Sequence, residues 1–183
     1  MNKVSTKPYP RSYWVEDGQF LAGYTPANTD PAKMAANLKA LLNCGIRVII
    51  NLMEADETNY EGVTFEPYEP LLMELAADSG LSVSYHNLPI RDRNIPTRDL
   101  MARILNLIDI SIVEQKPVYV HCWGGKGRTG TVVGSWLIDT GKAQPGGVLE
   151  RIRELRKDDA KGHEDSPETP EQIQFMLNWR SSD

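Results

Sequence analysis

The sequence predicts an α/β fold: a single domain with a mainly parallel central sheet flanked by helices. Three observations carry this expectation. Short runs rich in β-branched residues alternate with longer segments of helical apolar spacing. No internal repeat or low-complexity segment breaks the alternation. The 183 residues suit one domain spanning 1–183, with no linker long enough to divide it.

Residues 1–11 are expected to be irregular. From Ser12 to Gly23, Asp17-Gly18 lies between Tyr13-Trp14-Val15 and Phe20-Leu21, which predicts a tight β-hairpin. Asp30 then suits an N-cap and Pro31 a first helical position. Met34, Leu38, Leu41 and Leu42 form the apolar face of that helix, and Gly45 closes it. Ile46–Leu52 reads as a buried strand, Pro67–Gly80 as a second helix, and Leu81–Asn87 as a strand with Val83 and Tyr85 on alternate positions. After the loop Leu88–Pro96, Thr97 caps a long helix with Leu100, Ile104, Leu107, Ile108 and Ile112 at helical spacing. Pro117–His121 is a third strand and runs into the glycine-rich stretch Cys122–Arg128. Helices follow at Thr129–Thr140, Gly147–Lys157 and Thr169–Trp179. Ligands of parallel sheets bind at the carboxyl ends of strands, and that is where Cys122 falls.

Composition narrows the function classes. A formal net charge of -5 argues against nucleic acid as a partner, since phosphate-backbone binding needs a basic face. The only cysteines are Cys44 and Cys122, so a disulfide framework is not expected and a reducing, cytoplasmic compartment is. Met1–Pro10 carries Lys3 and Lys7 but no apolar run of the signal-peptide kind, and no stretch reaches the length of a membrane span. The expectation is a monomer without a membrane anchor. Cys44 ends an apolar helix face and reads as a small buried hydrophobe.

The segment from Val120 to Gly130, VHCWGGKGRTG, carries the chemistry. A strand feeding a glycine-rich loop that feeds a helix points backbone N–H groups inward and adds the positive end of a helix dipole, which together cradle an anion. Trp123, Gly124, Gly125, Lys126, Gly127 and Arg128 are the candidate phosphate-binding residues, and Arg128 adds a two-pronged contact. The same surroundings favour a thiolate at Cys122. The expected reaction is in-line attack of Cys122 on a phosphomonoester, giving a phosphocysteine that water cleaves, with no metal and no cofactor. The bland alternative is an inert buried cysteine beside a glycine-rich turn.

His121-Cys122, five residues, then Arg128-Thr129 resembles the signature of the cysteine-dependent protein tyrosine phosphatases. Trp14–Gly23 with Tyr24 and Pro26, and Gly45-Ile46 leading to Ile50-Asn51-Leu52, resemble the opening of dual-specificity phosphatases of the kinase-associated type. The resemblance covers roughly Tyr13–Trp179. It implies that His121 orders the loop, that Thr129 offers its hydroxyl to the thiolate, and that a protein tyrosine phosphatase-like fold surrounds them.

The leaving group needs a proton, and Asp92 in the loop between Pro89 and Pro96 is the candidate donor; similar phosphatases carry their acid in a comparable Pro-Ile-x-Asp segment. Asp99 is the rival, three positions into a helix where a carboxylate also serves the dipole. Gln172 resembles a glutamine that orients the hydrolytic water, yet Thr169-Pro-Glu-Gln172 is equally a capping box. Asn51 resembles an asparagine that braces the loop, yet it also suits local backbone bonding.

The substrate class stays open. Lys126 resembles the lipid-directed relatives at its position and keeps phosphoinositides or other small polyphosphates in play, with a solvated lysine as the plain alternative. Arg91, Arg93 and Lys126 form a positive mouth that equally suits phosphoproteins with acidic flanks. Tyr60, Phe65, Tyr68 and Trp123 are candidate pocket walls, and phosphotyrosine with broader tolerance is the preferred target. Two rival classes remain, a phosphate-binding module without turnover and a redox or sulfur-transfer enzyme; the acid loop argues against the second. His86, His121 and His163 show no metal-site spacing.

Overall fold

The computed structural model describes residues 6–180. Its elements run β1 (Ser12–Glu16), β2 (Phe20–Gly23), α1 (Pro31–Asn43), β3 (Val48–Asn51), α2 (Glu69–Asp78), β4 (Ser84–Asn87), α3 (Arg98–Val113), β5 (Val118–His121), α4 (Gly127–Asp139), α5 (Val148–Leu155) and α6 (Pro170–Leu177). One five-stranded sheet has the order β1-β2-β5-β3-β4. Only the β1–β2 pair is antiparallel; β2–β5, β5–β3 and β3–β4 are parallel. The predicted α/β architecture is the one observed. Of the expected irregular segment, residues 1–5 lie outside the described residues, and residues 6–11 hold no helix or strand.

Local chemistry sets the boundaries. The Asp30 carboxylate accepts the Ala32 and Lys33 N–H groups, Pro31 opens α1, and Gly45 leaves it with φ of 92°. Gly18, at φ 68°, makes the hairpin turn. The strands are shorter than expected at their ends. Ile46 donates its N–H back to Leu41, so it closes the helix before joining a ladder. α4 starts at Gly127, two residues before the predicted Thr129, because glycines with poor helix propensity hide its first turn.

The sheet divides two cores by the two-residue period of its strands. Phe20, Ala22, Val48, Ile50, Val118 and Val120 face α3–α6, while Leu21, Ile49 and Tyr119 face α1 and α2. β3 and β5, central and covered on both faces, are therefore apolar at every position until Asn51 and His121. α4 is buried nearly all round, between the sheet and α6, where a β-carbon on Gly134 would run into Met176. The phosphate-loop candidate thus hangs between a fully buried strand and a helix buried over most of its length. Among the described residues no helix is long and apolar enough to cross a membrane.

Candidate active site

Cys122 follows directly on β5 and is 3% exposed, with the Thr129 hydroxyl donating to its Sγ at 3.1 Å. The next carbonyls are fastened outward. Trp123 O accepts from Thr25 N at 3.2 Å, Gly124 O from Arg11 at 2.9 Å, and Lys126 O from Ser166 Oγ at 2.8 Å. In a trans peptide each C=O opposes the next N–H, so these bonds turn the N–H groups of Gly124, Gly125 and Gly127 to the opposite side of the chain, the arrangement of an anion cradle. Gly125 adopts φ of 72°, and a β-carbon there would come within 2.7 Å of Tyr24 N, so both conformation and space require glycine.

Arg128 lies in the first turn of α4, 2% exposed. Nη1 donates to Leu52 O at 3.2 Å and Ile90 O at 3.0 Å, and Glu57 receives both terminal nitrogens, Nη1 on Oε1 and Nη2 on Oε2 at 2.9 Å. Nη2 also meets Asp92 Oδ1 at 3.0 Å. Nε is buried and bonded to no protein atom. Glu57 therefore holds the Nη1–Nη2 end of the guanidinium, and on the Nε–Nη2 edge Nε is unpartnered while Asp92 rests on Nη2, where a tetrahedral anion would take its place. Burial opposes the charge of Arg128, yet Glu57, Cys122 and Asp92 hold its pKa above the ordinary value.

Beneath the loop, His121 is fully buried and its pKa is lowered to about 3, chiefly by burial, with the hydrogen bond to Cys122 O opposing and Arg128 adding to the shift. The ring is neutral. Nδ1–H donates to Cys122 O at 3.2 Å, which leaves Nε2 to accept the Tyr68 hydroxyl at 2.6 Å. Burial pushes the Tyr68 phenol well up, so it keeps the proton it donates. Tyr68 is 3% exposed, against the underside of the cradle, and what surface it has borders a separate cavity with Asn51, Phe65 and Tyr85. Tyr60 and Phe65 do gather at Trp123, with ring centroids 4.5 and 5.9 Å away.

The remaining candidates divide. Asp92 is in the loop before α3, at the edge of the cradle, whereas Asp99 is in the first turn of α3 and borders a separate cavity with Asp109 and Trp179. Gln172 is buried in a capping box; its Oε1 accepts Glu168 N and Thr169 N, and its Nε2 donates to Asn94 O at 3.1 Å, in the Asp92 loop. Asn51 does not reach the cradle: its side chain bonds Met53 N and Tyr85 at 2.9 Å each, because the end of β3 needs its backbone satisfied. Lys126 points to the segment between α5 and α6, meeting Glu164 at 2.6 Å and Glu168 at 3.3 Å, and Glu168 also meets Arg93 at 3.6 Å. The bond to Glu164 raises the Lys126 pKa, and Lys126, then Lys161, lowers that of Glu164 to about 2. The expected positive mouth is largely neutralised. Cys44 is half-buried, caps α1, and donates to Thr6 O at 3.4 Å.

Glu57, Glu164 and Glu168 were not identifiable from sequence. Glu57 is one of several acids in 54–66, and only its spacing from a distant arginine in the folded chain distinguishes it.

Residues 24–142, well over half of the chain and including Glu57, Asp92 and the whole cradle, match the family described as "Polymorphic toxin system, DSP-PTPase phosphatase". The chain belongs to the DSP-PTPase phosphatases. An uncharacterized protein of Methanocaldococcus jannaschii is 36% identical over 92 residues, 50% of this chain and 52% of that protein. The chain thus spans about half the length of that relative. A probable protein tyrosine phosphatase type IVA B of Dictyostelium discoideum is 28% identical over 137 residues, 73% of this chain and 69% of that one. Kinase associated phosphatase has a similar fold, with a TM-score of 0.67 at 18% identity, covering 93% of each chain. DSP-PTPase membership and the fold agree with the resemblance carried by His121-Cys122 and Arg128-Thr129.

Proposed function

We propose that this chain hydrolyses phosphomonoesters through a phosphocysteine intermediate, acting as a protein tyrosine or dual-specificity phosphatase. The observation that carries the reading is the convergence of Cys122 Sγ and the unpartnered Arg128 Nε on one buried cradle, with Asp92 at its edge. The thiolate attacks phosphorus, the P–O bond to the leaving group breaks, and the carboxyl of Asp92 gives that oxygen its proton. Water then attacks the phosphocysteine, Asp92 takes the proton, and the P–S bond breaks as the electron pair returns to sulfur. Thr129 Oγ1–H, 3.1 Å from Sγ, supports the departing thiolate. The inward N–H groups and the Arg128 fork stabilise charge on the equatorial oxygens.

A phosphorylated protein or peptide is the substrate this geometry supports best. Lys126, the residue that would favour a polyphosphorylated lipid or small molecule, already has two carboxylates on its ammonium. A free catalytic thiol also suits a cytoplasmic, reducing compartment. The test is aryl phosphate hydrolysis in the presence of a chelator. Turnover by the wild type and none by Cys122→Ser is the expected result; phosphate-ester binding by the wild type without turnover overturns the reading.

A further inference from the structure

Beside Trp123 and Gly124 the surface opens into a cavity of about 150 Å³. Arg11, Asn28 and Asn59 supply its polar groups, Tyr60 and Trp123 its aromatic walls, and among the described residues no carboxylate lines it. Arg11 is fixed there: Nη2 donates to Gly124 O at 2.9 Å, and the guanidinium carbon sits 4.0 Å from the centroid of the Tyr24 ring. Its Nε is buried and bonded to no protein atom.

The charges around the mouth are treated unequally. Lys126 meets Glu164 and Glu168, Arg93 meets Glu168, and Arg128 meets Glu57 and Asp92. Among the described residues Arg11 meets no acid. Arg91 meets none either, but it does not line this cavity. A pre-oriented guanidinium with no acidic neighbour in its cavity is suited to take an anion from outside on its terminal nitrogens.

We propose that this cavity is a second anion subsite, in which Arg11 binds an acidic group on a phosphopeptide within one or two residues of the phosphorylated side chain. The inference rests on the phosphatase reading and specifies its substrate. Consecutive Cα atoms are ~3.8 Å apart, so Gly124 lies within about 8 Å of Cys122, while an extended peptide advances roughly 3.3–3.6 Å per residue. The anion is therefore carried by a near neighbour of the phosphoresidue. A carboxylate and a second phosphate share the required chemistry. On the side of Lys126, Glu164 and Glu168 repel such a group, so the preference is local to the Arg11 cavity.

The test compares phosphotyrosine peptides whose flanking positions are alanine, glutamate or phosphoserine, together with soluble phosphoinositides and an aryl phosphate, on wild type, Arg11→Gln and Arg11→Lys. The wild type should favour the glutamate or phosphoserine peptide over the alanine peptide in KM by about tenfold, the scale of one charge-assisted contact. Arg11→Gln should abolish that ratio, and Arg11→Lys should retain part of it. A glutamate response without a phosphoserine response, or the reverse, identifies the source of the anion and supports the subsite. An equal ratio in wild type and Arg11→Gln overturns it, as does a flanking-charge preference seen only with phosphoinositides. Binding of the same peptides to Cys122→Ser reads the ratio without turnover, so loss of aryl phosphatase activity and loss of the subsite are separate outcomes.

Discussion

Glu57 grips the guanidinium of Arg128 with both carboxylate oxygens, from a loop 71 residues away in sequence. The Arg128 side chain is 2% exposed and that of Glu57 11%, so the pair is shielded from water and from salt. Removing Glu57 leaves a buried cation with only Leu52 O, Ile90 O and Asp92 as partners. Glu57→Ala should lower kcat/KM for aryl phosphate about 10- to 100-fold, because the phosphate-binding edge is no longer aimed. It should also cost about 3 kcal/mol of stability, the usual scale for breaking a buried pair. Glu57→Gln, which keeps the shape and one of the two acceptor oxygens, should lose less of both. Urea titration and steady-state kinetics check this, and wild-type kinetics in Glu57→Ala would count against Glu57 as the group that aims Arg128.

Asp92 touches the edge of Arg128 that the phosphate is proposed to occupy, at 3.0 Å and from an exposed loop. Its side chain is 51% exposed, so it is not buried with the arginine that it meets. Asp92→Asn should slow turnover of an alkyl phosphate by about 100-fold or more and that of a nitrophenyl phosphate far less, since a good leaving group departs unprotonated. A uniform loss across leaving groups would move the proton donor elsewhere.

Gln172 bonds Asn94 O, and Asn94 Nδ2 bonds Asp92 O at 3.1 Å, so the start of α6 holds the acid loop. With Oε1 committed to the capping box, this amide positions Asp92 and has little freedom to orient water. Gln172→Ala should reproduce the leaving-group dependence of Asp92→Asn on a smaller scale, about tenfold on alkyl phosphate. It should also cost about 1 kcal/mol through the cap. With the alkyl phosphate, whose first step also needs Asp92, no phosphoenzyme burst should appear in rapid-quench traces. A burst would mean that intermediate hydrolysis had become slow, which is the signature of a water-orienting role.

The strand and helix order was legible because each element carries its own signal: the Asp30-Pro31 cap, the β-branched run of β3, the glycine loop after β5. The cradle was legible for the same reason, being contiguous from His121 to Thr129. The partners of that cradle were not. Glu57, Tyr68, Glu164 and Glu168 act across 38 to 71 residues, and nothing local distinguishes them from neighbouring acids or core aromatics. Asn51 was ambiguous for a related reason: a strand-end asparagine has the same appearance whether it braces a loop or satisfies Met53 N.

His121 makes stability depend on pH through burial. Its pKa of about 3 in the folded protein lies below the ordinary value of 6.5 that the unfolded chain has. Between these limits the unfolded state binds a proton that the folded state refuses, so stability is fully present above about pH 6.5 and falls as the solution is acidified. The expected slope from this one group approaches roughly 1.4 kcal/mol per pH unit once the unfolded histidine is protonated. Urea midpoints measured between pH 6.5 and 5, above the range where carboxylates titrate, isolate it. His121→Gln should be less stable than wild type at pH 7, because Tyr68 and Cys122 O lose a fitted partner, yet its stability should be flatter over that window. A wild-type slope that survives in His121→Gln would assign the acid sensitivity to another group and remove the neutral imidazole from the account of the cradle.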